Sequence, residues 1–193
     1  MERELLLTGI GGQGIQLAAQ VIARAALADG RAVQMFGSYG GMMRGGRTDA
    51  TIVIAPDAVE APPTVHDAWS AIVMHGAYAE PILAAVRAGG VVVVASDVHD
   101  ATLDRDRYTV IELPMTDIAE RAGNRMAASM VAAGAYAAAT DLVSIDALTG
   151  AVADSLPPYR KQLAEVNVAA LRAGFDAAPR GIAPAWTPAE ATS

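Results

Sequence analysis

Short apolar runs alternate along this chain with longer segments whose apolar residues recur at helical spacing. The short runs predict strands over residues 5–8, 32–36, 48–55, 71–75, 91–94 and 108–113. The longer segments predict helices over residues 13–28, 78–88, 124–140, 145–155 and 159–177. Because predicted helices follow the first and the fourth strand and strands thus alternate with helices, we expect an α/β fold with three layers, α/β/α, built on a mostly parallel sheet with C-terminal helices.

The length of 193 residues suits one domain with one sizeable core. Hydrophobic residues make up 53% of the chain but aromatic residues only 5%, so the core consists mainly of small and aliphatic side chains. We predict a single domain over residues 1–178. Residues 179–193 form a tail rich in Pro and Ala, with Trp186 as its single large anchor. We expect this tail to be mobile or to lie across a partner subunit.

Composition excludes several classes of site. The chain contains no Cys, which removes disulfides and any iron–sulfur or zinc site ligated by cysteine within it. Its net charge is −7, whereas broad nucleic-acid binding needs a basic face. No apolar run reaches the length of a membrane span, and the amino terminus lacks the features of a signal peptide. We therefore expect a cytoplasmic protein.

The clearest candidate site is the glycine-rich segment between the first predicted strand and the first predicted helix. Gly9, Gly11 and Gly14 have the G-x-G-x-x-G spacing of a dinucleotide-binding loop. A strand, a glycine turn and a helix in this order leave backbone N–H groups free at the helix N-terminus, where the helix dipole favours negative charge. The segment therefore predicts an anion site, usually for a phosphate. The alternative is a glycine turn that only packs the helix closely on the strand.

The expected ligand of this loop is not NAD. An NAD site needs an acidic residue about 20 positions beyond the loop, at the end of the second strand, to bind a ribose hydroxyl. The predicted strand at residues 32–36 ends without an acid and continues into Gly37 and Ser38.

A second glycine-rich stretch covers residues 37–47. It combines five glycines with Ser38, Tyr39 and two arginines, Arg44 and Arg47. Glycines let the backbone approach a ligand closely, and guanidinium groups match the geometry of phosphate or carboxylate. The alternative is a flexible surface loop.

The histidines do not predict a metal site, because His66, His75 and His99 lie far apart in unlike contexts. His75 alone follows a predicted buried strand, at the edge where open α/β sheets bind ligands. A structural role at the rim of the sheet is the alternative. No serine lies in a Gly-x-Ser-x-Gly setting, so no nucleophile elbow is predicted. The sequence offers a binding site without an evident catalytic group.

Four segments in order resemble the gamma subunit, or gamma domain, of the 2-oxoacid:ferredoxin oxidoreductases. They are Gly9-Ile10-Gly11-Gly12-Gln13-Gly14, then Ser38-Tyr39-Gly40 with Arg44-Gly45-Gly46, then residues 123–135, and finally residues 167–174. The resemblance covers residues 4–176. The family that it indicates includes enzymes that act on pyruvate, 2-oxoglutarate, 2-ketoisovalerate or indolepyruvate. Four matches in the order of the family are far more specific than any one of them.

The resemblance implies a role within a larger enzyme. In this family a 2-oxoacid is decarboxylated on thiamine diphosphate, electrons leave through iron–sulfur clusters, and the acyl group is transferred to coenzyme A. The gamma part resembles a Rossmann-like, dinucleotide-binding fold and contributes to holding coenzyme A. Thiamine diphosphate, Mg²⁺ and the clusters would belong to alpha, beta and ferredoxin-like partner subunits, with ferredoxin or another electron acceptor. This chain would then contain no complete active site.

Ten residues are carried over from the resemblance as cofactor-binding, and none as catalytic or metal-binding. Gly9, Gly11, Gly12, Gln13 and Gly14 would form the phosphate loop. Ser38, Tyr39, Arg44, Gly45 and Gly46 would form a second loop at the subunit junction, with Arg44 as the charged contact. The chain departs from the family at Met42, where many members carry a glutamate, and at Gly41, where proline or alanine is common. Polar contacts of that glutamate are therefore not carried over.

Two other functions remain open at this point. A stand-alone nucleotide-binding reductase would need a group for ribose recognition and a hydride-acceptor site, and the sequence offers neither. A purely structural assembly subunit would use both glycine-rich stretches for contacts between chains only.

Overall fold

The computed structural model describes residues 1–39, 45–60, 65–97 and 103–187. The strands are β1 (Arg3–Ile10), β2 (Ala32–Tyr39), β3 (Arg47–Ala55), β4 (Ala68–Val73), β5 (Val86–Ala95) and β6 (Thr109–Leu113). The α-helices are α1 (Ile15–Ala28), α2 (Ala79–Ala84), α3 (Met115–Arg121), α4 (Ala128–Thr140), α5 (Ile145–Ser155) and α6 (Ala164–Ala177). Short 3-10 helices cover Gly76–Tyr78, Arg125–Ala127 and Pro158–Leu163. Within these described ranges, no helix has the length and apolar character needed to cross a membrane.

The six strands form one sheet in the order β2-β3-β1-β4-β5-β6. The pairs β1–β4, β4–β5 and β5–β6 are parallel, whereas β3 is antiparallel to both β1 and β2. The predicted α/β class with a mostly parallel sheet is confirmed. The exception has a simple cause: only residues 40–46 join β2 to β3, and a connection this short returns the chain antiparallel, whereas parallel strands need a crossover of about a dozen residues or more.

Strand β1 lies between β3 and β4, and the sheet separates the core into two parts, one on each face. Leu5 and Leu7 contribute to the larger core, which is covered by α1, α3, α4, α5 and α6. Leu6 points to the opposite face and contributes to a smaller core covered by α2. Alternate side chains of a strand point to opposite faces, so a nearly uninterrupted apolar strand lies buried on both sides.

Helix α4 is the most buried helix and packs most extensively against α6. The two helices touch through glycine: a Cβ added to Gly134 would lie 1.9 Å from the carbonyl oxygen of Leu171. A Cβ added to Gly174 would lie 2.1 Å from the carbonyl oxygen of Val131. These distances are far below van der Waals contact, so the close helix crossing requires both glycines.

The helix predicted over 78–88 and the strand predicted over 91–94 have different bounds in the structure. The helix predicted over 78–88 ends at Ala84, and Gly89 and Gly90 lie within β5 instead of breaking a helix. The pairing of β4 with β5 is irregular between Ala68 and Ser70. A Cβ on Gly90 would lie 2.7 Å from the carbonyl oxygen of Trp69, so glycine serves a close approach of two strands here.

Over the part that the structure describes, the tail packs on the end of α4 of its own chain. The N–H groups of Gly181, Ala183 and Ala185 donate to the carbonyl oxygens of Ala138, Ala139 and Thr140 at the end of α4. The indole Nε1 of Trp186 donates to the carbonyl oxygen of Leu142 at 2.9 Å. The last carbonyl groups of a helix lack partners within that helix, and here the tail supplies them. The expected behaviour of the whole tail and the domain boundary at residue 178 stay predictions.

Candidate functional site

The glycine-rich loop follows β1 at the carboxyl edge of the sheet. The N–H of Gln13 donates to the carbonyl oxygen of Ile10 at 3.1 Å, which closes the turn. Gly12 and Gly14 have φ values of 102° and 79°, in a backbone region that residues other than glycine rarely adopt. The N–H of Gly11 donates to the carbonyl oxygen of Gly46 at 2.8 Å. The structure thus brings together the glycine-rich loop and the end of the second glycine-rich stretch.

The side chain of Gln13 is used inside the protein. Its Oε1 accepts a hydrogen bond from the N–H of Ile10 at 2.9 Å, and its Nε2 donates to the carbonyl oxygen of Met74 at 3.1 Å. Met74 comes directly after β4, so the amide group ties the loop to the neighbouring strand. The geometry gives Gln13 a positioning role in the loop, because its side-chain oxygen and nitrogen already have partners.

The N-terminus of α1 has the properties of an anion site. Its N-cap is Gly14, which supplies no side-chain cap, and the first turn contains no acidic residue. Within the described residues, the N–H groups of Gly12, Gly14 and Ile15 have no hydrogen-bond acceptor. Space is open around Gly12 in the described part of the chain, since none of its atoms lies within 4 Å of an added Cβ. Such N–H groups, together with the helix dipole, favour an anion.

The second glycine-rich stretch is described only in part. The backbones of Ser38 and Tyr39 belong to β2, where these residues pair with Asp49 and Thr48. Their backbones are therefore strand rather than loop, in contrast to the prediction. Their side chains, and the whole of Arg44, lie outside the part of the chain that the structure describes. The predicted ligand contacts of these three residues stay predictions.

The start of α4 lies directly behind the glycine-rich loop. A Cβ added to Gly14 would lie 2.6 Å from the Oγ of Ser129. Asn124 caps the 3-10 helix that precedes α4, because its Oδ1 accepts a hydrogen bond from the N–H of Met126 at 3.0 Å. The third segment of the family resemblance therefore packs against the first, which gives a structural reason why both occur in one chain.

A charged pair lies on the other face of the sheet at the same edge. The Nε of Arg47 lies 2.7 Å from Oδ2 of Asp49, and Thr8 donates its hydroxyl proton to Oδ1 of Asp49 at 2.7 Å. The guanidinium of Arg47 lies 5.9 Å from the ring centre of Tyr78. Arg47 belongs to the second glycine-rich stretch but is not among the ten predicted site residues. The sequence does contain a signal for this pair: side chains alternate between the two faces of a strand, and Arg47 and Asp49 lie two positions apart in β3, so they share a face.

His75 has a structural role at the same edge. Its Nδ1 accepts a hydrogen bond from the N–H of Ala77 at 3.3 Å and so caps the 3-10 helix that follows β4. Its ring centre lies 5.7 Å from that of Tyr78. The structural alternative for His75 is therefore the one that the geometry supports.

Two other features, a buried tyrosine and an acidic cavity, lie away from the glycine-rich loop. Tyr136 is fully buried in the core, where burial raises the pKa of its hydroxyl far above the usual value. A cavity of about 750 Å³ lies at the opposite, amino edge of the sheet, and its lining includes Glu2, Glu4 and Glu60. An acidic lining does not suit an anion. The glycine-rich loop is therefore the candidate site for a phosphate.

Comparison with known proteins gives the family. The family model described as pyruvate ferredoxin/flavodoxin oxidoreductase matches residues 4–177. The chain belongs to this family. It is 32% identical, over 181 residues, to the 2-oxoglutarate synthase subunit KorC of Methanocaldococcus jannaschii, and the match covers 92% of this chain and 95% of the relative. The predicted relationship to gamma subunits of 2-oxoacid:ferredoxin oxidoreductases is thus confirmed.

Solved structures of the family share the fold. The gamma subunit of a keto/oxoacid ferredoxin oxidoreductase from Geobacter sulfurreducens has a TM-score of 0.76 and 28% identity, covering 91% of this chain and 95% of that one. A 2-oxoglutarate:ferredoxin oxidoreductase from Magnetococcus marinus, solved with 2-oxoglutarate, coenzyme A and succinyl-CoA bound, has a TM-score of 0.79. That match covers 93% of this chain but 32% of the longer one, and at 18% identity it shows the fold alone.

Proposed function

We propose that this chain is the coenzyme A-binding subunit of a multi-subunit 2-oxoacid:acceptor oxidoreductase. The observation that carries the proposal is a set of N–H groups at Gly12, Gly14 and Ile15 that have no acceptor among the described residues, at the carboxyl edge of β1. From β1 the sheet extends to one side through β3 and β2 and to the other side through β4, β5 and β6. Ligands of open α/β sheets bind where the strand order changes direction in this way.

The residues of the loop fit the diphosphate of coenzyme A. Backbone N–H groups can donate to phosphate oxygens, and the exposed Gly12 leaves room for them to approach. Asp49, an acidic residue near this edge, is already paired with Arg47 and Thr8, which limits its repulsion of an anion. When bound, coenzyme A supplies the thiol that accepts the acyl group. The role of this chain is to hold and orient the phosphates.

The rest of the reaction would be carried out by partner subunits. Thiamine diphosphate with Mg²⁺, the oxidative decarboxylation of the 2-oxoacid and the iron–sulfur clusters are assigned to alpha, beta and ferredoxin-like subunits. This chain contains no Cys, so clusters ligated by cysteine need ligands from another chain. Coenzyme A bound to the structurally similar enzyme from Magnetococcus marinus supports the choice of ligand.

The test compares two glycine substitutions within the assembled complex. Gly12 and Gly30 are both exposed and have φ values of 102° and 80°, and no atom of the residues that the structure describes lies within 4 Å of a Cβ added to either. Gly12→Ala and Gly30→Ala therefore introduce a similar backbone strain, at opposite ends of α1. Isothermal titration should show coenzyme A affinity lowered about tenfold or more by Gly12→Ala, because hydrogen bonds to a charged group are disturbed. Gly30→Ala should leave the affinity unchanged.

Equal coenzyme A affinity in the wild type and both variants would contradict the proposal. That result would favour a subunit whose glycine-rich stretches serve assembly only. In that case, co-purification of the variants with the partner subunits would show whether Gly12→Ala weakens the complex itself.

A further inference from the structure

The side chain of Arg47 is held in place through its Nε, while its Nη1 and Nη2 groups have no protein partner among the described residues. Its Nε faces Asp49 at 2.7 Å, and Asp49 is held in turn by the hydroxyl of Thr8. Although the distance is short, the Nε–H lacks hydrogen-bond geometry toward a partner, so we treat this contact as a charge pair. The Nη1 and Nη2 groups have no hydrogen-bond partner among the described residues. A planar fork of N–H donors is therefore oriented and still available.

Arg47 lies beside the glycine-rich loop but on the other face of the sheet. It stands opposite Ile10 in the register of β1 and β3, and it directly follows Gly46, whose carbonyl oxygen binds the N–H of Gly11. Its side chain shares a face with Thr8 and Tyr78, whereas α1 packs on the opposite face. The loop amides and the guanidinium thus flank the carboxyl edge of β1 from two sides.

We infer that Arg47 binds the 3′-phosphate of coenzyme A, while the N–H groups of the loop bind the diphosphate. This inference rests on the proposed function. A phosphate monoester carries nearly two charges at neutral pH, and the two Nη groups of an arginine match two of its oxygens. Coenzyme A carries such a group on its ribose, separate from the diphosphate. One ligand can therefore use both parts of the site.

The charge pair by itself does not account for this arrangement. The side chains of Arg47 and Asp49 are 36% and 24% exposed, and pairs at this level of exposure add little stability. Asp49 would instead act as a positioning residue that fixes the direction of the guanidinium. The ring of Tyr78 restricts one side of the same group. Preorganisation of this kind lowers the entropy lost when a ligand binds.

The test measures the affinity of the assembled complex for coenzyme A and for dephospho-coenzyme A, which lacks only the 3′-phosphate. Arg47→Gln should weaken coenzyme A binding about tenfold or more and leave dephospho-coenzyme A binding unchanged. Arg47→Lys keeps the charge but loses the fork, so we expect a smaller loss with the same selectivity. The control is Arg180→Gln, which removes an equally simple ion pair with Asp176 on the surface of α6 and should change neither affinity.

Three results would overturn the inference. An equal loss for both ligands would place Arg47 at the diphosphate or in a structural role. No loss for either ligand would mean that the guanidinium contacts no phosphate. Failure of the wild-type complex to bind either ligand would overturn the proposed function as well. If the wild type binds both ligands and Arg47→Gln weakens both equally, only the inference about the 3′-phosphate is overturned.

Discussion

Replacement of Gln13 tests how the glycine-rich loop is held in shape. Its side chain makes two hydrogen bonds, one from the N–H of Ile10 at 2.9 Å and one to the carbonyl oxygen of Met74 at 3.1 Å. Gln13→Ala removes both. The carbonyl of Met74 belongs to a residue that is only 1% exposed, so water does not easily replace the lost amide.

The expected loss of stability follows from these two bonds. Each is worth roughly 0.5–1.5 kcal/mol net, so the free energy of unfolding should fall by about 2 kcal/mol. For a chain of this size, about 2 kcal/mol corresponds to a fall in melting temperature of roughly 4–8 °C. The loop should also lose its fixed geometry, and the affinity for coenzyme A should fall because the N–H groups no longer converge on one point.

Two further substitutions make the assay specific. Gln20 is exposed on the same helix, and no hydrogen bond of its side chain is found among the described residues, so Gln20→Ala should shift stability by less than about 0.5 kcal/mol. Gln13→Glu keeps the acceptor for Ile10 but cannot donate to Met74, and it adds a negative charge beside the proposed phosphate site. We expect Gln13→Glu to weaken coenzyme A binding more than Gln13→Ala does.

The measurements are scanning calorimetry of the purified chain and isothermal titration of the assembled complex with coenzyme A. The reasoning would be refuted if Gln13→Ala matched Gln20→Ala in both melting temperature and affinity. A fall in stability without any change in affinity would show that Gln13 supports the fold but does not shape the ligand site.

Two other predictions concern the core. Gly134→Ala should lower the free energy of unfolding by about 1–3 kcal/mol, because its Cβ would overlap the carbonyl oxygen of Leu171 at 1.9 Å. The control is Gly150→Ala, which should raise the free energy of unfolding by about 0.5–1 kcal/mol, because no atom of the described residues lies within 4 Å of its Cβ. Equal melting temperatures of the two variants would argue against the tight crossing of α4 and α6. Burial raises the pKa of Tyr136 above that of the unfolded chain, so its contribution to stability is complete below about pH 10 and is lost at higher pH. In urea unfolding, the wild type should therefore lose more stability than Tyr136→Phe between pH 9 and pH 11, by an amount on the order of 1 kcal/mol, and parallel losses would contradict this.

Much of the fold could be predicted because its signals are local. The helix over Ile145–Ser155 was predicted with its observed bounds, since Ser144 caps it and Asp146 lies in its first turn. The apolar run before the glycines became the central strand β1, and the glycine-rich loop connects it to α1 as expected. Alternation of short strands and helices was enough to give the α/β class.

The candidate site could be predicted only in outline. The positions of the glycines are visible in the sequence, because positive φ values and free N–H groups follow from local backbone geometry. The internal hydrogen bonds of Gln13 were not visible, since one of its partners, Met74, is distant in sequence. The pair of Arg47 with Asp49 gained meaning only when β3 was placed beside β1 and Thr8.

The sequence by itself determined the α/β class, the glycine turn and the absence of cysteine chemistry, because each depends on residue type and on neighbours a few positions away. Tertiary structure alone decided that β3 runs antiparallel, that residues 179–187 pack on α4, and which side chains surround the loop. Those features depend on contacts between segments far apart in the chain. Their energies arise only when the sheet and its helices have assembled.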